Sequence, residues 1–187
     1  MDTGKRNTVS EIETLDSTLV YENKWMRVRE DKIRRESGAE GIYGVVEKVD
    51  CVVLLPIDAG RIHLVEQYRY PVGGRFWEAP QGAWETNPDA DMLEVAAGEL
   101  REETGLIAHS MVYVGHVFLL YGFVNQSCHI YLASDFEQAD TRPDLEEEGL
   151  VSKSFTLAEF EAMITDGTIQ DSTTLCAYGL AKMKQLI

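Results

Sequence analysis

Three glutamates, Glu99, Glu102 and Glu103, stand at i, i+3 and i+4 in the run GELREETGL over residues 98–106. In a helix that spacing brings their carboxylates onto one face. Acids so placed repel one another unless a proton or a cation intervenes. A hard divalent ion such as Mg²⁺ takes oxygen ligands and suits the set. The helix that must hold them is legible. From about Asp91 onward, Leu93, Ala96, Ala97 and Leu100 recur at spacings of three and four and form an apolar stripe. Gly105 then occupies the position that glycine favours as a helix stop. Charges on a helix face also describe a plain solvated surface, so the surroundings of the acids decide between the two.

The elements around this helix follow from pattern. Residues 1–17 are polar and read as a flexible N-terminus. Val20-Tyr21 and Trp25-Met26-Arg27-Val28 carry strand-favouring residues across an Asn-Lys turn, and a strand over 42–49 returns to make a hairpin. That hairpin, within residues 18–49, is marginal alone and must pack on something. The continuous apolar run CVVLLPI at 51–57 is a buried central strand, with 61–67 as its hairpin partner. A polar loop leaves that strand and leads through FWEAPQG at 76–82 into the acid-bearing stretch. Strands are expected over 111–118, 128–134 and 151–155, with an acidic loop over 135–149. Thr156 and Glu159 form a capping box for a helix ending near Gly167, and Asp171 or Ser172 caps a last helix. Strands and helices interleave without strict alternation, which predicts a mixed sheet between helices.

The totals bound the function. At 187 residues the chain has room for a substantial core, here assigned to one domain over 50–187. The net charge of −15 argues against nucleic acid or anionic membranes as partners. An anionic substrate needs a cation or local arginines to invert the field. Cys51, Cys128 and Cys176 show no metal-binding spacing and read as packed thiols in a reducing compartment. With no apolar leader and no membrane-spanning run, a soluble cytoplasmic protein is expected.

The residues from Glu99 to Leu106, preceded by a glycine loop after Trp77-Glu78-Ala79-Pro80, resemble the box of the Nudix hydrolases. Glu66-Gln67-Tyr68-Arg69 and the segment IQDSTTL at 169–175 are similar to the branch of that family that splits ADP-ribose and nucleoside diphosphate sugars. The resemblance covers roughly residues 18–187. It implies an α/β/α sandwich around a mixed sheet, with an N-terminal antiparallel strand extension that is exchanged across a homodimer. It implies Mg²⁺-dependent hydrolysis, with Mn²⁺ as a substitute ion. The products would be a nucleoside monophosphate and a sugar phosphate, from ADP-ribose, GDP-mannose, or UDP- or ADP-glucose. Glu99 and Glu103 match direct metal ligands, Glu102 a supporting acid, and the Gln81 backbone carbonyl a further ligand. Glu146, Glu147 or Glu148 matches the late-loop glutamate that serves as general base or extra ligand. Arg69 lies where an arginine approaches the phosphates, and Glu78 matches a ribose-binding or supporting position. Trp25 is either a core or interface anchor or a platform for a nucleobase. His63, His116 and His129 read as strand histidines.

The stretch departs from the family pattern in three places. Two residues are added between Gly82 and Glu99. The first-half glutamate falls on Pro88 or Ala90, according to the direction of counting. Gly98 stands where the family has an arginine, and a glycine inside a helix costs about 1 kcal/mol against alanine. Arg101, one turn on, or Arg75 is expected to take over the arginine's work. Gln126, where the ADP-ribose group has an acid, argues against strict ADP-ribose specificity. The other functional readings are a hydrolase of dinucleoside polyphosphates or pool nucleotides, and a non-catalytic sensor of nucleotide sugars.

Overall fold

The computed structural model describes residues 11–139 and 148–187. The chain divides into two compact units, one formed by residues 1–48 with 120–125, the other by 49–119 with 126–187.

The first unit is an antiparallel sheet in the order β1 (Ile12–Glu22), β2 (Arg27–Arg35), β3 (Glu40–Glu47). Its first strand begins at Ile12, inside the stretch read from sequence as a flexible terminus. It is exposed throughout, and its apolar residues, Ile12, Leu15, Leu19, Val20 and Tyr21, show no regular alternation that would announce its start. What fixes it is cross-strand pairing. Arg34 reaches Glu13 at 3.1 Å, and Lys32 reaches Asp16 at 3.5 Å. The segment 120–125 joins β3: Val46 donates to the Phe123 carbonyl at 2.8 Å and accepts from the Asn125 N–H at 3.1 Å.

The second unit is a mixed sheet with helices on both faces, as the interleaved pattern predicts. Its strands are β4 (Cys51–Asp58), β5 (Arg61–Arg69), β6 (Gly74–Glu78), β7 (Gln81–Gly82), β8 (Leu106–Phe118), β9 (Ser127–Gln138) and β10 (Val151–Thr156). The helices are α1 (Met92–Thr104), α2 (Leu157–Thr165) and α3 (Ser172–Met183). The order across the sheet is β10-β5-β4-β9-β8, with β6 on β5 and β7 on β4. β4 runs parallel to β9 in register Cys51 to Cys128. Successive side chains of a strand point to opposite faces, and β4 uses both. Val52 and Leu54 pack with Val95, Ala96 and Leu100 of α1. Val53 and Leu55 pack with Phe160 of α2 and with Ala177 and Ala181 of α3. This double burial is why 51–57 reads as an unbroken apolar run.

The helix ends follow their sequence signals. Asp91 caps α1, its Oδ1 accepting from Leu93 N–H at 2.7 Å, and Gly105 closes it in the left-handed conformation. The Thr156–Glu159 capping box opens α2, and Asp171 caps α3. Two features were not visible in sequence. β6 arises in what reads as a polar loop, because Arg75 and Phe76 pair with Tyr68 and Gln67 on β5. β8 starts at Leu106 rather than near 111, carried through Ala108 by pairing with β9.

Leu100 ties α1 to the sheet and is almost wholly buried. Truncation there leaves a cavity beneath the acid-bearing helix. Leu100→Ala is expected to cost about 3 kcal/mol of stability, measured by urea unfolding. A loss below about 1 kcal/mol would mean that α1 is held by other contacts.

Candidate active site

Glu99 and Glu103 do not sit on the solvent face of α1. They share its inward stripe with Ala96 and Leu100, and are 6% and 1% exposed. Buried carboxylates need polar company, and the two-residue strand β7 provides it. β7 is placed against β4 by the pairs Val52 with Gly82 and Val53 with Gln81, reinforced by Leu54 N–H to the Pro80 carbonyl at 2.9 Å. From there the Gln81 N–H donates to Glu103 Oε2 at 3.1 Å. The Glu99 carboxylate lies against Gly82 so closely that a Cβ on that residue would stand 2.3 Å from Oε2. Both acids are thus set on two successive residues of β7, with half-buried Glu102 beside them on α1.

A second polar cluster adjoins this one. Glu78 of β6 is 2% exposed and receives Arg69 through Nε at 3.1 Å and through Nη2. Gln67 Nε2 donates to the same carboxylate at 2.9 Å. Burial pushes the Glu78 carboxyl above the usual range, and the Arg69 guanidinium opposes that rise. Gln81 Nε2 donates to Asp171 Oδ2 at 3.2 Å. Asp171 also accepts from the Thr174 N–H and Oγ1–H, and Thr174 Oγ1 accepts in turn from the Ala79 N–H at 2.8 Å. The N-terminus of α3 is thereby tied to the segment from Ala79 to Gln81, against which the acids of α1 rest.

Two cavities flank the arrangement. One, of about 500 Å³, has apolar walls from Pro71, Val72 and Phe76 and polar ones from Arg69, Gln81 and Asp171. The other, of about 430 Å³, is lined by Glu103 with His63, Gln138, Ser152 and Lys153. Burial and the Arg61 charge hold the His63 pKa below its ordinary value, which favours the neutral imidazole. Such clefts, with few polar groups converging on them, are the size of small-molecule sites.

Among the described residues, no three His, Cys, Asp or Glu side chains form a ready metal cage. Hard oxygen donors are offered here by the carboxylates of Glu99 and Glu103, both held at β7. The space left by the missing side chain of Gly82 is filled by a carboxylate. That chemistry fits a hard divalent cation.

Glu146 and Glu147 fall outside the described residues, and Glu148 is exposed. Gln126 is buried and donates to the Val49 carbonyl at 2.7 Å. Trp25 is 42% exposed, with Lys24 Nζ 4.2 Å from its ring centroid. Neither expected substitute for the box arginine reaches the acids among the described residues. Arg101 is exposed. Arg75 is engaged with Glu66 Oε2 at 3.0 Å and the Gly149 carbonyl at 2.7 Å. Gly98 instead faces an aromatic ring: a Cβ there would stand 2.4 Å from Cζ2 of Trp84. Sequence reasoning passed over Trp84. The one available signal was a glycine in mid-helix with a tryptophan in the lengthened loop before it. The bond from Gln81 to Asp171 has no signal of its own in the sequence, where Asp171 stands as a candidate cap and within the segment IQDSTTL.

Comparison with known proteins agrees with this geometry. A family model described as "NUDIX domain" matches residues 47–177. One described as "Nucleoside diphosphate sugar hydrolase N-terminal domain" matches 12–46. An ADP-ribose pyrophosphatase of Mycobacterium tuberculosis is 30% identical over 168 residues, covering 88% of this chain and 80% of that protein. A protein of Bacillus methanolicus named methanol dehydrogenase activator is 25% identical over 179 residues, covering 95% and 96%. A solved structure titled "Crystal structure of ADP compounds hydrolase" shares the fold, with a TM-score of 0.81 at 18% identity and coverage of 92% and 93%.

Two outcomes test the site as built. Gly82→Ala is expected to push the Glu99 carboxylate aside and cut turnover by about 10²-fold, with little change in thermal unfolding. Unchanged turnover would show that Glu99 need not lie against residue 82. Arg69→Ala leaves Glu78 buried without its cation and is expected to cost about 2 kcal/mol near neutral pH. Glu78 then titrates higher still. Because its folded pKa is raised, stability is lost as pH rises through that value and regained as pH falls. Urea unfolding at about pH 8 and about pH 5 should therefore show a larger deficit at the higher pH. An equal deficit at both would refute the ionic account.

Proposed function

We propose that this chain, which belongs to the Nudix hydrolase family and is a pyrophosphate-hydrolysing enzyme, cleaves the pyrophosphate of nucleoside diphosphate sugars. ADP-ribose comes first among its substrates, with GDP-mannose and UDP- or ADP-glucose in the same class. The products are a nucleoside monophosphate and a sugar phosphate. The observation that carries this reading is the seating of Glu99 and Glu103 on the Gln81–Gly82 peptide, where Gln81 lines one cavity and Glu103 the other.

Members of the family generally use divalent cations, and Mg²⁺, or Mn²⁺ in its place, suits a donor set made of oxygens. Glu99 and Glu103 would hold the ion with the Gln81 carbonyl, and Glu102 would support them. Bound there, it would neutralise phosphate charge and lower the pKa of a water. A chain of net charge −15 needs such a local reversal before it admits a pyrophosphate.

The remaining work falls to the chain's own groups. Arg69 is held by Glu78 through Nε and Nη2 and is 39% exposed at the cavity wall, so its other donors can meet a phosphate oxygen. Glu78 fixes that guanidinium and is itself too buried to bind ribose freely. Gln81 and Asp171 offer a donor and acceptors to sugar hydroxyls. One of Glu146, Glu147 and Glu148 accepts the proton of the attacking water as the bridging P–O bond breaks. Trp25 offers an exposed face for stacking. The exposed apolar side chains of Leu15, Leu19, Val20 and Tyr21 on β1 support assembly of the first unit's sheet into a homodimer. The three free thiols suit a cytoplasmic enzyme. Among the described residues, no helix is long and apolar enough to cross a membrane.

Incubation with Mg²⁺ and a panel of ADP-ribose, UDP-, ADP- and GDP-sugars and diadenosine polyphosphates, with products resolved by ion-exchange chromatography, tests the reading. Release of nucleoside monophosphate and sugar phosphate is expected, lowered about 10²- to 10³-fold in Glu103→Gln. Cleavage of no nucleotide sugar would refute it.

A further inference from the structure

The two departures nearest the acids, the lengthened loop before α1 and Gly98 within it, have one structural cause. The loop turns twice, with Asn87 N–H bonded to the Trp84 carbonyl at 3.0 Å and Ala90 N–H to the Asn87 carbonyl at 3.1 Å. Trp84, at its start, packs against the cluster of Val95, Ala96 and Leu100 under α1. Its six-membered ring lies on the backbone of α1 at residue 98. A Cβ there would stand 2.4 Å from Cζ2, 3.2 Å from Cη2 and 3.3 Å from Cε2. A fused ring packed in a cluster cannot swing aside as the tip of a flexible chain does, so any side chain at 98 must expel it.

The position of this contact gives it a role beyond packing. Trp84 is two residues from Gly82, against which the Glu99 carboxylate rests, and Gly98 immediately precedes Glu99. The indole therefore bridges the two backbone segments that bring Glu99 and the Gln81–Gly82 peptide together. We infer that Trp84, seated on Gly98, is a positioning residue that fixes Glu99 against Gln81–Gly82 and so sets the affinity of the site for its divalent cation. The inference rests on the metal-dependent reading above. It assigns to an apolar ring work that Arg101 and Arg75 were expected to do, and both of those side chains point elsewhere.

The test exploits the sign of a stability change. Alanine is a better helix former than glycine, so Gly98→Ala should raise the midpoint of thermal unfolding if nothing lies on residue 98. With the ring seated, Gly98→Ala is expected to lower the midpoint. In a Trp84→Ala background, where no ring remains to be displaced, the same substitution is expected to raise it. Mn²⁺ binding to the substrate-free protein, followed by the electron paramagnetic resonance signal of the free ion, reports the positioning itself. Gly98→Ala and Trp84→Ala should each weaken it about tenfold, as loss of a group that orients metal ligands does. Trp84→Phe, which keeps an aromatic ring, should stay within about threefold of the wild type.

A raised midpoint for Gly98→Ala with Trp84 present would overturn the seating. A Trp84→Ala protein that is less stable yet binds Mn²⁺ within about twofold of the wild type would overturn the positioning role and leave the indole as packing alone. Absence of Mn²⁺ binding by the wild type would also overturn that role. Mn²⁺ binding with the expected pattern, but cleavage of none of the substrate panel, would support the inference while defeating the proposed substrate class.

Discussion

Two carboxylates taken out of water must be met by backbone, and the second unit is arranged to meet them. Glu99 and Glu103 lie on the buried stripe of α1, among the residues that pack α1 on the sheet. There a two-residue strand presents one N–H to Glu103, in the last turn, and a bare Cα to Glu99. β4 must hold that strand in register, β9 must cover β4, and α3 must tie Gln81 down through Asp171. The central sheet is thus both hydrophobic core and reference frame. Its apolar residues supply most of the folding free energy, and its one polar edge fixes the place where charge is tolerated.

Much of this was legible in the residues. The double-sided strand at 51–58 shows in its unbroken apolar run. Asp91, Gly105, Thr156, Glu159 and Asp171 mark helix ends because capping is local chemistry, settled within a few residues. The acids of α1 show in their spacing, and the family resemblance then names what such spacing does. What stayed hidden is long-range. β1 is exposed from end to end and takes its conformation from pairing with β2, reinforced by ion pairs across some twenty residues of sequence. β6 takes its conformation from pairing with β5 rather than from its own composition. Arg101 looked suited to the box arginine's place by helical spacing, yet helical spacing fixes only the azimuth of a side chain, not whether a neighbour already fills the space.

Electrostatics divides the site into two halves. On one side, Glu99 and Glu103 are buried in an acidic protein against the backbone of β7. On the other, Glu78 is buried but paired with the Arg69 guanidinium and hydrogen-bonded by Gln67. Burial of an ion pair is weak evidence of stabilisation. Its service here is geometric: it immobilises a guanidinium at the edge of a cavity that otherwise offers apolar walls. A chain of net charge −15 thereby keeps one cation fixed at that wall.

The contact between Trp84 and Gly98 also constrains the history of the protein. Had the indole arrived while residue 98 still carried a side chain, the ring and that side chain would have claimed the same volume. Had the glycine come first, the helix would have borne only the modest propensity loss of about 1 kcal/mol, leaving a hollow for an aromatic ring to fill. The passable order is glycine first and tryptophan second. Once both are in place the path closes behind them, because any return to a side chain at 98 meets the ring. The pair then persists as a ratchet, and relatives that carry a side chain at this position should lack the tryptophan.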